Sequence, residues 1–269
     1  MRKVLIVTDS SANVPAALVR KLDIRVVPII LAINGHTFQD GVDITPSEVY
    51  ELQRELKHVP TTAAPSVGDF LKTYVSAAEE ASGIVSIHMS PKLSATHSAA
   101  FAASRLLEEV PIRVVDCRSA AMGQGFVVLE AARAAATGAS LDAVVARAED
   151  VASKVQLLAM VGTLEYLRRS GRISWARAKT AQLLRVKPII QVFMGEVSDV
   201  ARTRTRHQAT EQLLEMVHAS GSLERLAVLH TYAPELETFC DRLREHYPHQ
   251  NMPTVAATTV PLVEVLYGV

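Results

Sequence analysis

Four apolar residues, Val4-Leu5-Ile6-Val7, follow a charged start and end at Thr8-Asp9-Ser10-Ser11. A short apolar run closed by turn-forming residues predicts a buried strand over residues 3–7. Residues 15–22 read as a short helix and residues 24–33 as a long second strand. Asn34-Gly35 is a hairpin signal, because both residues tolerate positive φ, with residues 36–39 as the return strand. Thr45-Pro46-Ser47-Glu48 is a capping box with proline at the first helical position, and it opens a helix to about residue 56. Ser66-Val67-Gly68-Asp69 is an acidic version of the same device, opening a helix to about residue 81. A strand at 83–88, a helix at 94–109, a strand at 112–115 and a long helix at 120–136 complete this half.

Gly138-Ala139-Ser140 breaks the pattern, and a helix runs from 141 to about 153. Strands follow at 155–161, 186–193, 196–201 and 226–230, with helices at 164–169, 175–184, 204–219 and 234–246 and a strand-like tail over 254–269. Strands alternating with helices predict an α/β protein with largely parallel sheets. Its two α/β domains are expected at 1–153 and 154–269, the first holding a largely parallel sheet.

Composition narrows this picture. Of 269 residues, 49% are hydrophobic but only 5% aromatic, so the apolar content is aliphatic and suits helices packed on a sheet or the lining of an aliphatic cavity. The formal net charge of zero argues against general nucleic-acid binding. Cys117 and Cys240 give neither a disulfide framework nor a metal-binding pair, and no cofactor or metal is called for. The apolar start is too short for a signal peptide or a membrane span, so the expected location is cytoplasmic.

Two hydroxyl-rich segments carry the candidate chemistry. They are Thr61-Thr62-Ala63-Ala64-Pro65-Ser66 and Ser90-Pro91-Lys92-Leu93-Ser94-Ala95-Thr96. Each precedes a helical pattern, so each puts hydroxyls and free backbone N–H groups where an anion can be held without a metal or a lysine. Ser66 and Ser94 are read equally well as plain N-caps, but Thr61, Thr62, Ser90 and Thr96 exceed what two caps need. Asp9 and Ser10 end the first strand, where ligands of open α/β sheets bind, and with Ser90 and Thr96 they are candidate site edges. The bland reading of Thr8–Ser11 is a turn. A competing reading makes Asp9 the partner of Ser90 or Ser94 in a hydrolase or transferase acting on a small acyl or phosphoryl substrate. It lacks G-x-S-x-G and a recognisable histidine base. His88 and His97 flank the second segment without metal-ligand spacing.

The second half holds a basic window. Arg168, Arg169, Arg172, Arg177, Lys179, Arg185, Lys187, Arg202, Arg204 and Arg206 are opposed there by Glu196 and Asp199 alone. The window is either a solvated face or a surface for an anionic partner. Gly171-Arg172-Ile173-Ser174 presents a guanidinium on a turn, suited to gripping phosphate or carboxylate oxygens.

Taken in order, these pieces resemble the DegV family of bacterial fatty acid-binding proteins. The carriers are Thr8–Ser10, Thr62–Ser66, Ser90–Thr96, the string Thr163-Leu164-Glu165-Tyr166-Leu167 through Gly171-Arg172-Ile173-Ser174, then Lys187–Ile190 and Arg202–Arg206. The resemblance implies a carrier rather than an enzyme, with one long-chain fatty acid buried in a tunnel between two α/β domains. It implies that Thr62 and Ser94 hold the carboxylate. It further implies a dihydroxyacetone-kinase-like fatty acid kinase as partner, making acyl phosphate for phospholipid synthesis, with Arg172 and Arg204 serving that step. Three departures stand out. Ala95 replaces the glycine of Leu-Ser-Gly-Thr, Ala63-Ala64 replaces Ser-Gln before Pro65, and Leu266 stands about where the family's C-terminal His-x-Gly-Pro-Gly has its histidine.

Overall fold

The computed structural model describes residues 3–56, 60–161, 186–231, 235–250 and 252–256. The helices expected at 164–169 and 175–184, the turn carrying Arg172, and the tail beyond 256 lie outside the described residues. By compactness the chain divides into two units, Met1–Val155 and Gln156–Val269. Ser153, Lys154 and Val155 still donate backbone hydrogen bonds to Glu149 and Val151, which places them with the last turn of the preceding helix. The sequence reading drew its border at 153/154, where the helical spacing ends.

The first unit is built on a parallel sheet of four strands in the order β2-β1-β6-β7. These are β1 (Lys3–Asp9), β2 (Arg25–Val27), β6 (Ala81–His88) and β7 (Ile112–Asp116). β1 and β6 are central and nearly continuous in apolar residues, as strands covered on both faces must be. One face is covered by α3 (Val67–Ala78) and α4 (Thr96–Ser104), whose Phe70, Tyr74, Ala77, Ala100 and Ala103 are buried against Leu5, Val7 and Ile84. α5 (Ala121–Ala136) packs on β1 and against α6 (Leu141–Ala152). That double coverage explains why α5 is buried almost all round and why its amphipathic signal is weak.

The long second strand expected at 24–33 is two strands in two sheets. Pro28 offers no N–H to a ladder and separates β2 from β3 (Ile30–Ile33). β3 joins β4 (His36–Gln39) and β5 (Thr61–Ala63) in a small antiparallel sheet of order β4-β3-β5. The hairpin turn is as read, with Asn34 at φ 50° and Gly35 at φ 83°. α1 (Ala16–Lys21) and α2 (Pro46–Leu56) complete the unit. The capping box at α2 forms, with the Thr45 N–H and hydroxyl both bonded to Glu48 at 2.7 Å. So does the one at α3, where Ser66 Oγ accepts from the Asp69 N–H at 3.2 Å and the Asp69 carboxylate from the Ser66 N–H at 2.8 Å.

The second unit is less parallel than the alternation suggests. β8 (Leu157–Met160), β9 (Lys187–Phe193) and β10 (Glu196–Thr203) form an antiparallel sheet. A parallel pair, β11 (Val228–His230) and β12 (Thr254–Ala256), stands beside it in the same unit. α7 (Arg206–Ala219) and α8 (Leu236–His246) supply Leu213, Leu214, Val217, Phe239 and Leu243 to its core. No helix among the described residues is long and apolar enough to cross a membrane.

Candidate functional site

The carboxyl ends of β1, β6 and β7 carry polar residues at adjacent positions: Asp9, His88 and Asp116. His88 and Asp116 are register partners, and Asp9 follows Thr8, which is paired with Ile87. The parallel ladder between β1 and β6 ends at Thr8–Ile87, and side chains continue the link. His88 Nδ1 donates to Asp9 Oδ2 at 2.7 Å with both side chains fully buried. The Gln124 amide, in the first turn of α5, donates to Thr8 Oγ1 and Asp9 Oδ2 at 3.0 Å each and lies 3.3 Å from the Ile87 carbonyl. Ser11 closes the other carboxylate oxygen, through its N–H at 3.1 Å and its hydroxyl. Burial alone would raise the Asp9 pKa, but the hydrogen bond and charge of His88, with Ser11 and Gln124, outweigh it and hold the carboxyl below its ordinary 3.8.

Ser10 follows the end of β1 and the second hydroxyl segment follows the end of β6. Ser10 starts the 3-10 turn Ser10–Ala12, and its Oγ accepts from the Ile29 N–H at 3.0 Å. Ser90 is buried, and its hydroxyl faces Asp116 Oδ2 at 3.5 Å. The Leu93 and Ser94 N–H groups turn back onto the Ser90 carbonyl at 2.8 and 3.1 Å. Ser94 is half-buried, shares a hydrogen bond with the buried Thr96 hydroxyl at 2.8 Å, and accepts from the Thr96 N–H at 3.3 Å. α4 has no side-chain N-cap, because Ala95 holds that position. Ala95 adopts φ −73°, so this turn does not demand the glycine that the family pattern has there. Thr62 lies half-buried in β5, opposite Leu31 of β3. The first hydroxyl segment thus begins as a short edge strand before its helix, an element the sequence reading did not assign.

The structure corrects the pairing of Asp9 with Ser90 or Ser94. The Asp9 carboxylate is surrounded by His88, Ser11 and Gln124, while Ser90 faces Asp116 and Ser94 faces Thr96. A serine–histidine–aspartate chain does exist, with Ser86 Oγ 2.7 Å from His88 Nε2. Ser86 is wholly buried and accepts a hydrogen bond from Tyr74 Oη at 2.8 Å, so no substrate can reach its oxygen. His97 is pushed below its ordinary pKa by burial, with Asp116 opposing and His88 adding to the shift. Burial pushes the Cys117 thiol well up, which makes it a poor nucleophile.

His88 was legible only as a neighbour of the second segment, and Gln124, Tyr74 and Ser86 gave no signal of partnership. One clue was available: Asp9 and His88 each end a buried strand, with a serine one or two residues further on.

In the basic window, Arg202 pairs with Asp199 and Arg206 with Glu235, the latter at 2.5 Å. Part of the window is therefore a balanced face. Arg204 is exposed just before the Thr205 cap of α7, its backbone N–H bonded to Gln208 Oε1 at 3.3 Å. Arg172 lies outside the described residues.

Fold and strand ends together define a two-unit α/β protein with a buried polar cluster at the carboxyl ends of a parallel sheet. Known proteins match throughout. The family described as "Uncharacterised protein, DegV family" matches residues 3–266. DegV domain-containing protein SCO2569 of Streptomyces coelicolor is 38% identical, covering 92% of this chain and 89% of its own. A DegV family protein from Thermus thermophilus, described for its fatty acid binding, superposes with TM-score 0.84 at 31% identity over 99% of this chain and 98% of its own. DegV of Bacillus subtilis, described as a fatty acid binding protein, gives TM-score 0.89 at 25% identity over the full length of both chains. The chain belongs to the DegV family.

Proposed function

We propose that this protein binds one long-chain fatty acid in a buried tunnel, with the carboxylate held by the Thr62 and Ser94 hydroxyls, and hands it to a fatty acid kinase. The observation that carries the reading is the full-length likeness to the Thermus thermophilus protein described for its fatty acid binding. The local chemistry agrees with it. Ser94 stands at the N-terminal end of a helix lacking a side-chain cap, where N–H groups favour an anion. Asp9, His88 and Asp116 have their own partners, which leaves neutral hydroxyl and N–H donors for the ligand. A chain of about 15 methylenes supplies on the order of 12 kcal/mol of gross transfer free energy, so the head-group donors need only orient and satisfy the carboxylate. Neutral donors also leave the carboxylate able to accept a phosphoryl group, where a salt bridge would hold it. Arg204, exposed before α7, and Arg172 suit contact with a phosphoryl-bearing partner.

Native mass spectrometry of the purified protein, followed by lipid analysis after denaturation, tests this directly. A stoichiometric long-chain fatty acid is the expected result. An apo mass that stays unchanged after incubation with palmitate and oleate would sink the carrier reading.

A further inference from the structure

We infer that His88 is a positioning residue that fixes the two hydroxyl segments relative to one another. In naming Thr62 and Ser94 as head-group donors, the inference rests on the function proposed above. β1 and α3 both meet this one buried imidazole, and α4 is joined to it through Tyr74. Its Nδ1 bonds Asp9 at the end of β1. Its ring stands edge-on to Phe70 of α3, at 4.9 Å between centroids and 79° between planes. Its Nε2 meets Ser86 Oγ, which accepts from Tyr74 Oη of α3, and that hydroxyl also lies 3.3 Å from the Ala100 carbonyl of α4. Asp9, Ser86, His88, Tyr74 and Phe70 are all wholly buried, so none is placed to touch a ligand itself.

The two helices tied by this chain are the ones that follow the hydroxyl segments. α3 is capped by Ser66, a few residues after Thr62, and the Phe70 N–H bonds the Ser66 carbonyl at 3.3 Å. α4 begins at Thr96, whose N–H bonds Ser94 Oγ. Otherwise α3 and α4 meet through small and apolar side chains, including Ala77, Ala100 and Ala103. Apolar contacts are non-directional and would let one helix slide on the other, whereas a hydrogen-bond chain holds set distances and angles. The polar chain from Asp9 through His88 and Ser86 to Tyr74 therefore fixes α3 against β1, and the Tyr74 hydroxyl, its one proton shared between Ser86 and the Ala100 carbonyl, sets α4 beside it, so that the helices following Thr62 and Ser94 are held in one arrangement.

The test compares Tyr74→Phe and Ser86→Ala with Val144→Ala, a core truncation in α6 of the same unit. Amide hydrogen exchange is followed in the ligand-free protein, and palmitate retention is measured separately. Expected are faster exchange in residues 61–66 and 90–96 together, and weaker palmitate retention, each on the order of fivefold, in the two network variants. Val144→Ala, matched by its loss of thermal stability, is expected to change neither selectively. If the network variants speed exchange across the whole unit as Val144→Ala does, with neither segment singled out, the positioning role is overturned. Selective acceleration of both segments with unchanged palmitate retention would uphold the positioning role and overturn the head-group assignment instead.

Discussion

His88 Nδ1 and Asp9 Oδ2 lie 2.7 Å apart with neither side chain exposed to solvent, joining the ends of two central parallel strands where their backbone ladder stops. An aspartate so buried is tolerable only because donors surround it.

Asp9 gives the protein an acid limit. Its folded pKa is depressed, so its contribution to stability is complete above the ordinary carboxyl value of 3.8 and is lost as pH falls through the folded pKa. Asp9→Asn is expected to cost on the order of 3 kcal/mol at neutral pH, since it removes one partner of a buried pair. It should also flatten the decline of stability below about pH 4. Urea unfolding across a pH series checks both, and an unchanged acid slope would remove Asp9 as its source.

Two glycines should respond oppositely to alanine. A Cβ on Gly125 would sit 2.6 Å from the Ala12 carbonyl oxygen, a backbone atom that cannot swing aside, so Gly125→Ala should lose about 1–3 kcal/mol. A Cβ on Gly68 in α3 would meet only Ser66 Oγ, at 3.6 Å, and Gly68→Ala should gain up to about 1 kcal/mol from helix propensity. Denaturant midpoints decide the signs.

At the turn beside Ser94, alanine already has an ordinary backbone conformation. Ala95→Gly, which restores the family residue, should therefore leave fatty acid affinity as it is and change stability little, since glycine is no worse than alanine at an N-cap. A large gain in affinity by calorimetry would show that this turn needs glycine when ligand is bound.

Ser94→Ala and Thr62→Ala should each weaken fatty acid retention by roughly ten- to a hundredfold, the size of a lost hydrogen bond to a charged group. Equilibrium binding of palmitate is the measurement. Unchanged affinity in both variants would withdraw the two hydroxyls from the head-group site.

Arg172→Ala and Arg204→Ala should spare fatty acid binding and lower kinase-dependent acyl phosphate formation by tenfold or more, as loss of a charged phosphate contact does. Turnover equal to the parent protein in a reconstituted assay would make both arginines ordinary surface residues.

Local chemistry was decisive for much of the architecture. Thr45 with Glu48 and Ser66 with Asp69 mark helix starts because a capping box is satisfied within four residues, and Asn34-Gly35 marks a hairpin because its φ values are local. The apolar runs at β1 and β6 and the order of motifs likewise determined the strands and the family without any contact map. Where Pro28 stands, the run at 24–33 looked continuous because apolar content does not record which sheet a strand joins; a missing N–H and an available ladder decided that. The antiparallel pairing of β8, β9 and β10 was equally illegible, since strand direction follows from connections and packing and not from side-chain pattern. The site divides the same way. Thr62, Ser94, Ser10 and Ser90 drew notice as hydroxyls at element ends, a one-dimensional property. That His88, rather than a serine of the second segment, takes the Asp9 carboxylate, with Gln124 and Ser11 completing it, needed strands 79 residues apart to be laid side by side. A buried charge selects whichever donors the fold brings within reach, and only tertiary structure says which those are.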